Sequence, residues 1–352
     1  MKAISLFSGM GGDSLGMVQA GLKLVAYSEK EKVFRDTHDL NFQECKVIGS
    51  SVNSEITKIP DAEFLQYAGN VDMIFAGFPC QGFSQAGKKD QNDVRNTLFS
   101  EFLRATRLIM PNYIIGENVK GLLSRKMNDG QLYIDVIVNE FEKLGYKIKY
   151  QVFKTEKYGI PQKRERLLII GSRVHEPHFP SEIPGTPNLK NIVIFDMTGA
   201  IKIEPDDFDM TSIPSECILK DMNNDETENQ VHPYLRLKAK TRNETYDNKT
   251  HKTMLSFGKR DSPIHCEIID IRKPSKTIIC TYDHQPRLFV PLQNKNGYYL
   301  RCLLPDELKQ IQGFPADYKI AGNLKQKIVQ IGNSVPPGLI KLIVENMIVK
   351  KK

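Results

Sequence analysis

The chain has 352 residues and a formal net charge of +7, with six cysteines in no Cys-x-x-Cys pair. That length holds a full core, most naturally as one large domain plus a smaller one. The mild basic excess suits a polyanionic partner, and the scattered cysteines offer neither a zinc site nor a disulfide framework. No metal is therefore expected. No apolar run approaches the roughly 18 residues that span a bilayer, and Met1 leads straight into a strand pattern without a cleavable leader. These features predict a cytoplasmic protein with no membrane contact.

Ala3–Phe7 reads as a buried strand, followed by the glycine turn Ser8-Gly9-Met10-Gly11-Gly12 and a helix over Asp13–Ala20 closed by Gly21. Strand, glycine turn and helix together let backbone approach a ligand and offer it a helix N-terminus. Leu22–Ser28 reads as a second strand, and Glu29 just beyond it is placed to bind a ribose diol. Val71–Ala76 is a third apolar run, stopped by Gly77-Phe78-Pro79-Cys80-Gln81-Gly82-Phe83-Ser84. Cys80 then stands just past a strand end, where open α/β sheets bind ligands and a thiolate can reach out of the scaffold. Residues 84 to 96 are polar and include Ser84, Gln85, Lys88, Lys89 and Arg95, a pattern that suits a lid with phosphate-clamping cations.

Helical spacing resumes from Leu98 to Met110 and stops at Pro111. Tyr113–Gly116 reads as another buried strand, with Glu117-Asn118-Val119 at its end. A carboxyl group in a closed pocket is held protonated more readily than in water, and so can act as a general acid. Asp129–Leu144 is expected to be a helix and Lys147–Phe153 a strand. Next, alternation puts Gln162, Arg164 and Arg166 on one face of an extended segment before a strand over Leu167–Ile170. Paired guanidiniums suit a carbonyl oxygen with a neighbouring phosphate or carboxylate. From about Val174, prolines, an acidic section and a basic section from Arg236 to Arg260 replace the α/β rhythm, so a smaller domain begins there.

These motifs resemble those of the DNA (cytosine-5)-methyltransferases. The match covers Phe7-Ser8-Gly9-Met10-Gly11-Gly12, Pro79-Cys80, Glu117-Asn118-Val119, Gln162-x-Arg164-x-Arg166, Arg272-Lys273-Pro274 and Gly332-Asn333-Ser334-Val335, in family order over nearly the whole chain apart from roughly residues 174 to 265. The resemblance implies a Rossmann-like α/β S-adenosylmethionine-dependent methyltransferase domain with a second, smaller target-recognition domain. The expected division is residues 1–180 catalytic, 181–290 target recognition, 291–330 hinge and support, and 331–352 returning to the catalytic domain.

By the same resemblance the cofactor is S-adenosylmethionine, leaving as S-adenosylhomocysteine. It would be bound by Phe7, Gly9, Gly11, Gly12, Glu29, Ser51, Pro79, Leu98, Asn333 and Val335. Cys80 would attack carbon 6 of a flipped-out cytosine, Glu117 would act at ring nitrogen 3, Arg166 would hold the carbonyl oxygen, and Arg164 would support the site and the phosphate. Ser84, Gln85, Lys88, Lys89, Arg95 and Gln162 would meet the DNA. The expected partner is double-stranded DNA, bound by a monomer, with a cognate restriction endonuclease of the same sequence specificity. Alternatives are the same chemistry on tRNA, or a DNA-binding relative without methyl transfer. The Cys80-Gln81-Gly82-Phe83-Ser84 form favours DNA. Two positions depart from the family pattern. Lys30 replaces the usual apolar residue after Glu29, and Ile48–Asn53 lacks the usual Asp-Ile, leaving Ser51 or Asn53 as acceptors.

Overall fold

The structure is a computed structural model. It describes residues 1–49, 54–79, 98–127, 130–205, 209–227, 267–283 and 286–348, and the backbone of 237–240 and 254–257. The chain forms two compact units. The first comprises Met1–Gly185, Asp317–Ala321 and Ser334–Lys352, and the second Thr186–Ala316 and Gly322–Asn333.

The first unit is built on a seven-stranded sheet. Its strands are β1 (Lys2–Leu6), β2 (Lys23–Ser28), β3 (Lys46–Val47), β4 (Met73–Ala76), β5 (Tyr113–Asn118) and β6 (Lys147–Lys154), then, after a two-residue strand β7 (Gln162–Lys163), β8 (Glu165–Ser172). The spatial order is β3-β2-β1-β4-β5-β8-β6. β3 to β5 run parallel, and β8 is antiparallel to both β5 and β6. Helices α1 (Gly12–Gln19), α2 (Lys32–Asn41), α3 (Asp61–Leu65), α4 (Leu98–Ile109) and α5 (Tyr133–Lys143) connect the strands. The central strands β1, β4 and β5 are largely apolar because both faces are covered there, whereas edge strand β6 largely alternates polar and apolar residues. On one face Ile4, Leu6, Ile74, Ala76 and Ile114 pack with Phe99, Phe102 and Phe141. On the other, Ala3, Met73, Phe75, Tyr113 and Ile115 pack with Met17 of α1.

Several boundaries differ from the sequence expectation, and two of them have a visible local cause. β5 continues through Glu117 and Asn118, because the antiparallel neighbour β8 supplies ladder partners in Leu168 and Leu167. α5 begins at Tyr133 rather than Asp129, since Lys126 bridges back to Leu132 and Gly130 turns the chain with φ 88°.

The second unit contains β9 (Ile201–Ile203), β10 (Leu219–Asp221), β11 (Leu237–Lys240), β12 (Met254–Phe257), β13 (Glu267–Ile268), β14 (Ser275–Lys276), β15 (Leu288–Asn294) and β16 (Gly297–Cys302). β15 is its centre, flanked by β10 and β16, with β9 beyond β16 and β13 also pairing with β15. α6 (Pro305–Ile311) and α7 (Leu324–Asn333) follow. Arg301, fully buried, is held by the Glu307 carboxylate at 2.7 Å and by the carbonyls of Ile194 and Asp196. A buried cation is tolerable only when paired and hydrogen-bonded in this way.

The chain then returns to the first unit as α8 (Pro337–Ile348), whose Leu339, Ile340, Ile343, Val344 and Met347 join the second core face. Gly16 lets α1 approach α8. A Cβ there would lie 2.6 Å from both Ile340 Cβ and the Pro337 carbonyl oxygen. None of the described helices is long and apolar enough to cross a membrane.

Candidate active site

Strand register brings the candidate residues level. Leu6 sits opposite Ser28 on one side and Ala76 on the other, and Ala76 sits opposite Gly116. The next residue of each strand, Phe7, Glu29, Gly77 and Glu117, therefore emerges along one edge of the sheet. Chain order reverses between β1 and β4, which makes this edge the topological switch point where open α/β sheets bind ligands. Bonds just past the strand ends, from Ser8 N to Ser28 O at 3.0 Å and from Gly77 N to Leu6 O at 3.3 Å, prolong the ladder into the turns.

The glycine turn is held in backbone conformations that most residues avoid. Gly9 and Gly11 have φ of 55° and 87°, and Phe7 has φ 56°. A left-handed aromatic residue costs of order 1–3 kcal/mol and persists only where surroundings enforce it, most often at functional sites. Glu29 spans the opening of the turn. Its Oε2 accepts from Gly9 N at 2.9 Å and its Oε1 accepts from Glu31 N at 2.9 Å. Arg35, itself buried, donates to the carbonyl oxygens of Glu29 and Lys30 at 2.8 and 2.6 Å, and Ser54 Oγ accepts from Glu29 N at 3.2 Å. Burial raises the pKa of Glu29, while the two backbone N–H groups oppose that rise. Each carboxylate oxygen keeps a lone pair for a further donor. A carboxylate fixed beside a glycine turn at a helix N-terminus fits a ribose-bearing cofactor.

At the other end of the edge, Glu117 Oε1 pairs with Arg166 Nε at 2.8 Å, both side chains being mostly buried. Burial pushes the Glu117 carboxyl above the ordinary glutamate range, against the pull of the Arg166 and Arg164 guanidiniums. Its second oxygen, Oε2, would lie 3.7 Å from a Cβ built on Gly77, so the carboxyl group overhangs the segment leading to Cys80. Asn118 adds a tie that the sequence did not single out. Its Nδ2 donates to the Phe78 carbonyl at 3.1 Å and its Oδ1 accepts from Val119 N at 2.8 Å. Phe78, buried against Phe99 and Phe102, anchors the same segment from below. The signal for Asn118 was its place next to Glu117 in the motif. Its partner, 40 residues away, could not be read there.

The remaining expected residues divide clearly. Phe7, Gly9, Gly11, Gly12, Glu29, Glu117 and Pro79 are gathered along the switch-point edge. Leu98 is half-buried as the first residue of α4, and Val335 is buried against the α8 core. Arg164 is buried and donates to the Ser334 carbonyl at 3.0 Å, which ties it to the returning chain. Gln162, expected to meet the DNA, is fully buried. The segment stays extended through β7 and into β8, and its alternation turns Gln162 and Arg164 inward. Thr155 donates to the Gln162 carbonyl through Oγ1 and to the Arg164 carbonyl through its N–H, which fixes the segment there. Asn333 is exposed as the last residue of α7. Cys80, Ser51, Ser84, Gln85, Lys88, Lys89 and Arg95 lie outside the described residues, as do the side chains of the basic section from Arg236 to Arg260. Among the described residues no cluster of three or more His, Cys, Asp or Glu could hold a metal ion.

The fold is that of Rossmann-like methyltransferases. It resembles a mutant of Spodoptera frugiperda DNMT2 (TM-score 0.65, 18% identity, 98% of this chain and 99% of that one). It also resembles the Entamoeba histolytica methyltransferase EhMeth (TM-score 0.65, 17% identity, 99% and 97%). The sequence is more specific. Residues 1–349 match the C-5 cytosine-specific DNA methylase family, to which the chain belongs. It is 32% identical over 343 residues to the Type II methyltransferase M.PspPI of Psychrobacter sp. (strain TA137), covering 96% of this chain and 76% of that protein. Against the Type II methyltransferase M1.HphI of Haemophilus parahaemolyticus it is 31% identical over 353 residues, covering 97% and 85%. The chain is thus a DNA cytosine-5 methyltransferase.

Proposed function

We propose that the protein methylates carbon 5 of a flipped-out cytosine within a short duplex sequence, using S-adenosylmethionine, as the modification half of a Type II restriction-modification pair. The observation that carries the mechanism is the buried Glu117–Arg166 pair overhanging Gly77. The first unit acts as the catalytic domain and the second as the DNA-reading domain. The target base leaves the stack because its carbon atoms cannot be reached inside it.

The Cys80 thiolate forms a bond to carbon 6, and the electron pair displaced from the ring moves toward nitrogen 3. Glu117, its carboxyl raised above the ordinary glutamate range by burial, donates a proton there, while Arg166 neutralises the carboxylate left behind. Asn118 keeps the Cys80 segment in register with Glu117. Glu29 and the glycine turn would hold the ribose of the cofactor. When bound, that cofactor supplies an electrophilic methyl group on a sulfonium sulfur. Carbon 5 would form its new bond to that methyl; water then takes the carbon 5 proton, the freed electron pair re-forms the ring double bond and expels Cys80 as a thiolate, and the nitrogen 3 proton returns to Glu117.

The direct experiment incubates mixed-sequence duplex DNA with labelled cofactor and then maps every methylated cytosine by conversion sequencing. Methylation confined to one short context is the expected result. DNA that is bound and left unmethylated would overturn the reading, and tRNA tested in parallel would identify an RNA substrate.

A further inference from the structure

Asp317–Ala321 belongs to the first unit although the chain on both sides of it, 186–316 and 322–333, forms the second. This five-residue excursion is fastened along α2 and the glycine turn. The Tyr318 hydroxyl donates to the Met10 carbonyl in the middle of that turn. Asn41 brackets Lys319, accepting from its N–H at 3.1 Å and donating to its carbonyl at 2.8 Å. Thr37 Oγ1 accepts from Ala321 N at 2.9 Å. The Tyr318 ring lies 6.4 Å from that of Phe42, and its hydroxyl occupies the space under Gly11, where a Cβ would come within 2.9 Å of it.

We propose that Tyr318 is a positioning residue for the cofactor turn. It fixes the Met10 peptide from below, and so holds the left-handed backbone at Gly9 and Gly11 that faces the ligand. It does not itself touch the ligand. The N–H groups of the turn are held by Ser8 O (from Gly11), Ser28 O (from Ser8) and the Glu29 carboxylate (from Gly9), and Tyr318 holds the Met10 carbonyl oxygen. Burial raises the Tyr318 phenol well above its ordinary pKa, which keeps it a hydrogen-bond donor across the working pH range. The cofactor turn is thereby shaped by a residue embedded in the stretch of sequence that builds the second unit.

The inference rests on the glycine turn being the cofactor site, so wild-type protein is measured first. Calorimetry with S-adenosylhomocysteine should show binding, and its absence would sink the cofactor reading itself. With binding established, Tyr318→Phe, well below its unfolding temperature, should weaken that ligand about five- to tenfold, the scale of one buried hydrogen bond. KM for S-adenosylmethionine should rise in parallel, with kcat at saturation within about twofold of wild type. DNA affinity should not change. Lys319→Ala, which leaves the main-chain bonds of the excursion in place, should bind like wild type. A Tyr318→Phe protein with wild-type ligand affinity would overturn the proposal. So would one whose kcat falls while KM stays fixed, and a lower melting temperature with unchanged affinity would make the contact purely structural.

Discussion

Asn118 and Asp13 illustrate two ways in which a polar side chain under the site matters. Asn118 joins the strand end that carries Glu117 to the segment that leads to Cys80. Removing that tie should misplace the nucleophile by a fraction of an ångström to an ångström. Displacements of that size cost up to about 100-fold in rate. Asn118→Ala should therefore slow covalent trapping on DNA containing 5-fluorocytosine by about 10- to 100-fold, with cofactor affinity intact. Trapping at the wild-type rate would remove the positioning role. Cys80→Ser should abolish turnover and retain DNA binding, measured by methyl incorporation and by gel shift.

Asp13, in the first turn of α1, is buried and accepts a hydrogen bond from Ser5 Oγ of β1. Burial pushes its carboxyl from 3.8 up to about 7. The folded state then binds this proton more tightly than the unfolded state. The group's contribution to stability is complete below pH 3.8 and is lost as the pH rises through 7. Asp13→Asn should consequently raise the melting temperature most at pH 8, by a smaller amount at pH 5, and change it little below pH 3.8. The gain is capped at about 4 kcal/mol by the size of the shift. Equal effects at the two pH values would sink this account. Glu29, Glu117 and Arg166 were legible in the sequence, because each is a charged residue at or beside the end of an apolar run. The partners of Asn118, Asp13 and Tyr318 were not. Tyr318 lies 308 residues from Met10, and nothing in either local pattern reports a contact at that separation.

Among the elements, apolar runs announced the central strands β1, β2, β4 and β5, since a parallel sheet covered on both faces demands them; β3 and the strands of the second unit were not announced. The misjudged boundaries have separate causes. The length of β5 depends on an antiparallel neighbour formed some 50 residues later, and the start of α5 depends on a turn whose bridge spends residues that have helical propensity. Packing closeness was also hidden. Gly16 reads as a weak helix residue, and replacing it with Ala would gain about 1 kcal/mol of propensity in isolation. Its Cβ would nevertheless collide with α8 at 2.6 Å, against a backbone carbonyl and a β-branched side chain. Overpacking of that kind costs about 1–3 kcal/mol, so the net change should be destabilising. Urea denaturation of Gly16→Ala should show a lower midpoint with an unchanged slope. A higher midpoint would mean that α8 yields freely.

For the molecule as a whole, a change of composition near residue 174 announced a second unit. The return of residues 317–321 was not announced, because a five-residue excursion leaves no composition signature. The first unit takes its last helix from the far end of the chain. α8 buries Leu339, Ile340, Ile343, Val344 and Met347 to 1% exposure or less. At about 1.5–3 kcal/mol for each side chain, their loss approaches the 5–15 kcal/mol that keeps an ordinary domain folded. Ending the chain after Pro336 should therefore give aggregated protein without cooperative melting. A soluble truncated chain with a sharp transition would show that the sheet can do without α8.

The same dependence sets a schedule for synthesis. Roughly 150 residues separate Gly185 from Pro337, which at typical ribosome speeds takes on the order of ten to thirty seconds. During that interval the newborn sheet has a bare apolar face, and the polypeptide emerging next belongs to the other unit. The nascent chain is thus a natural client for a holding chaperone. A cell that slows translation over this interval should lose active enzyme to aggregation before any methyl group is transferred.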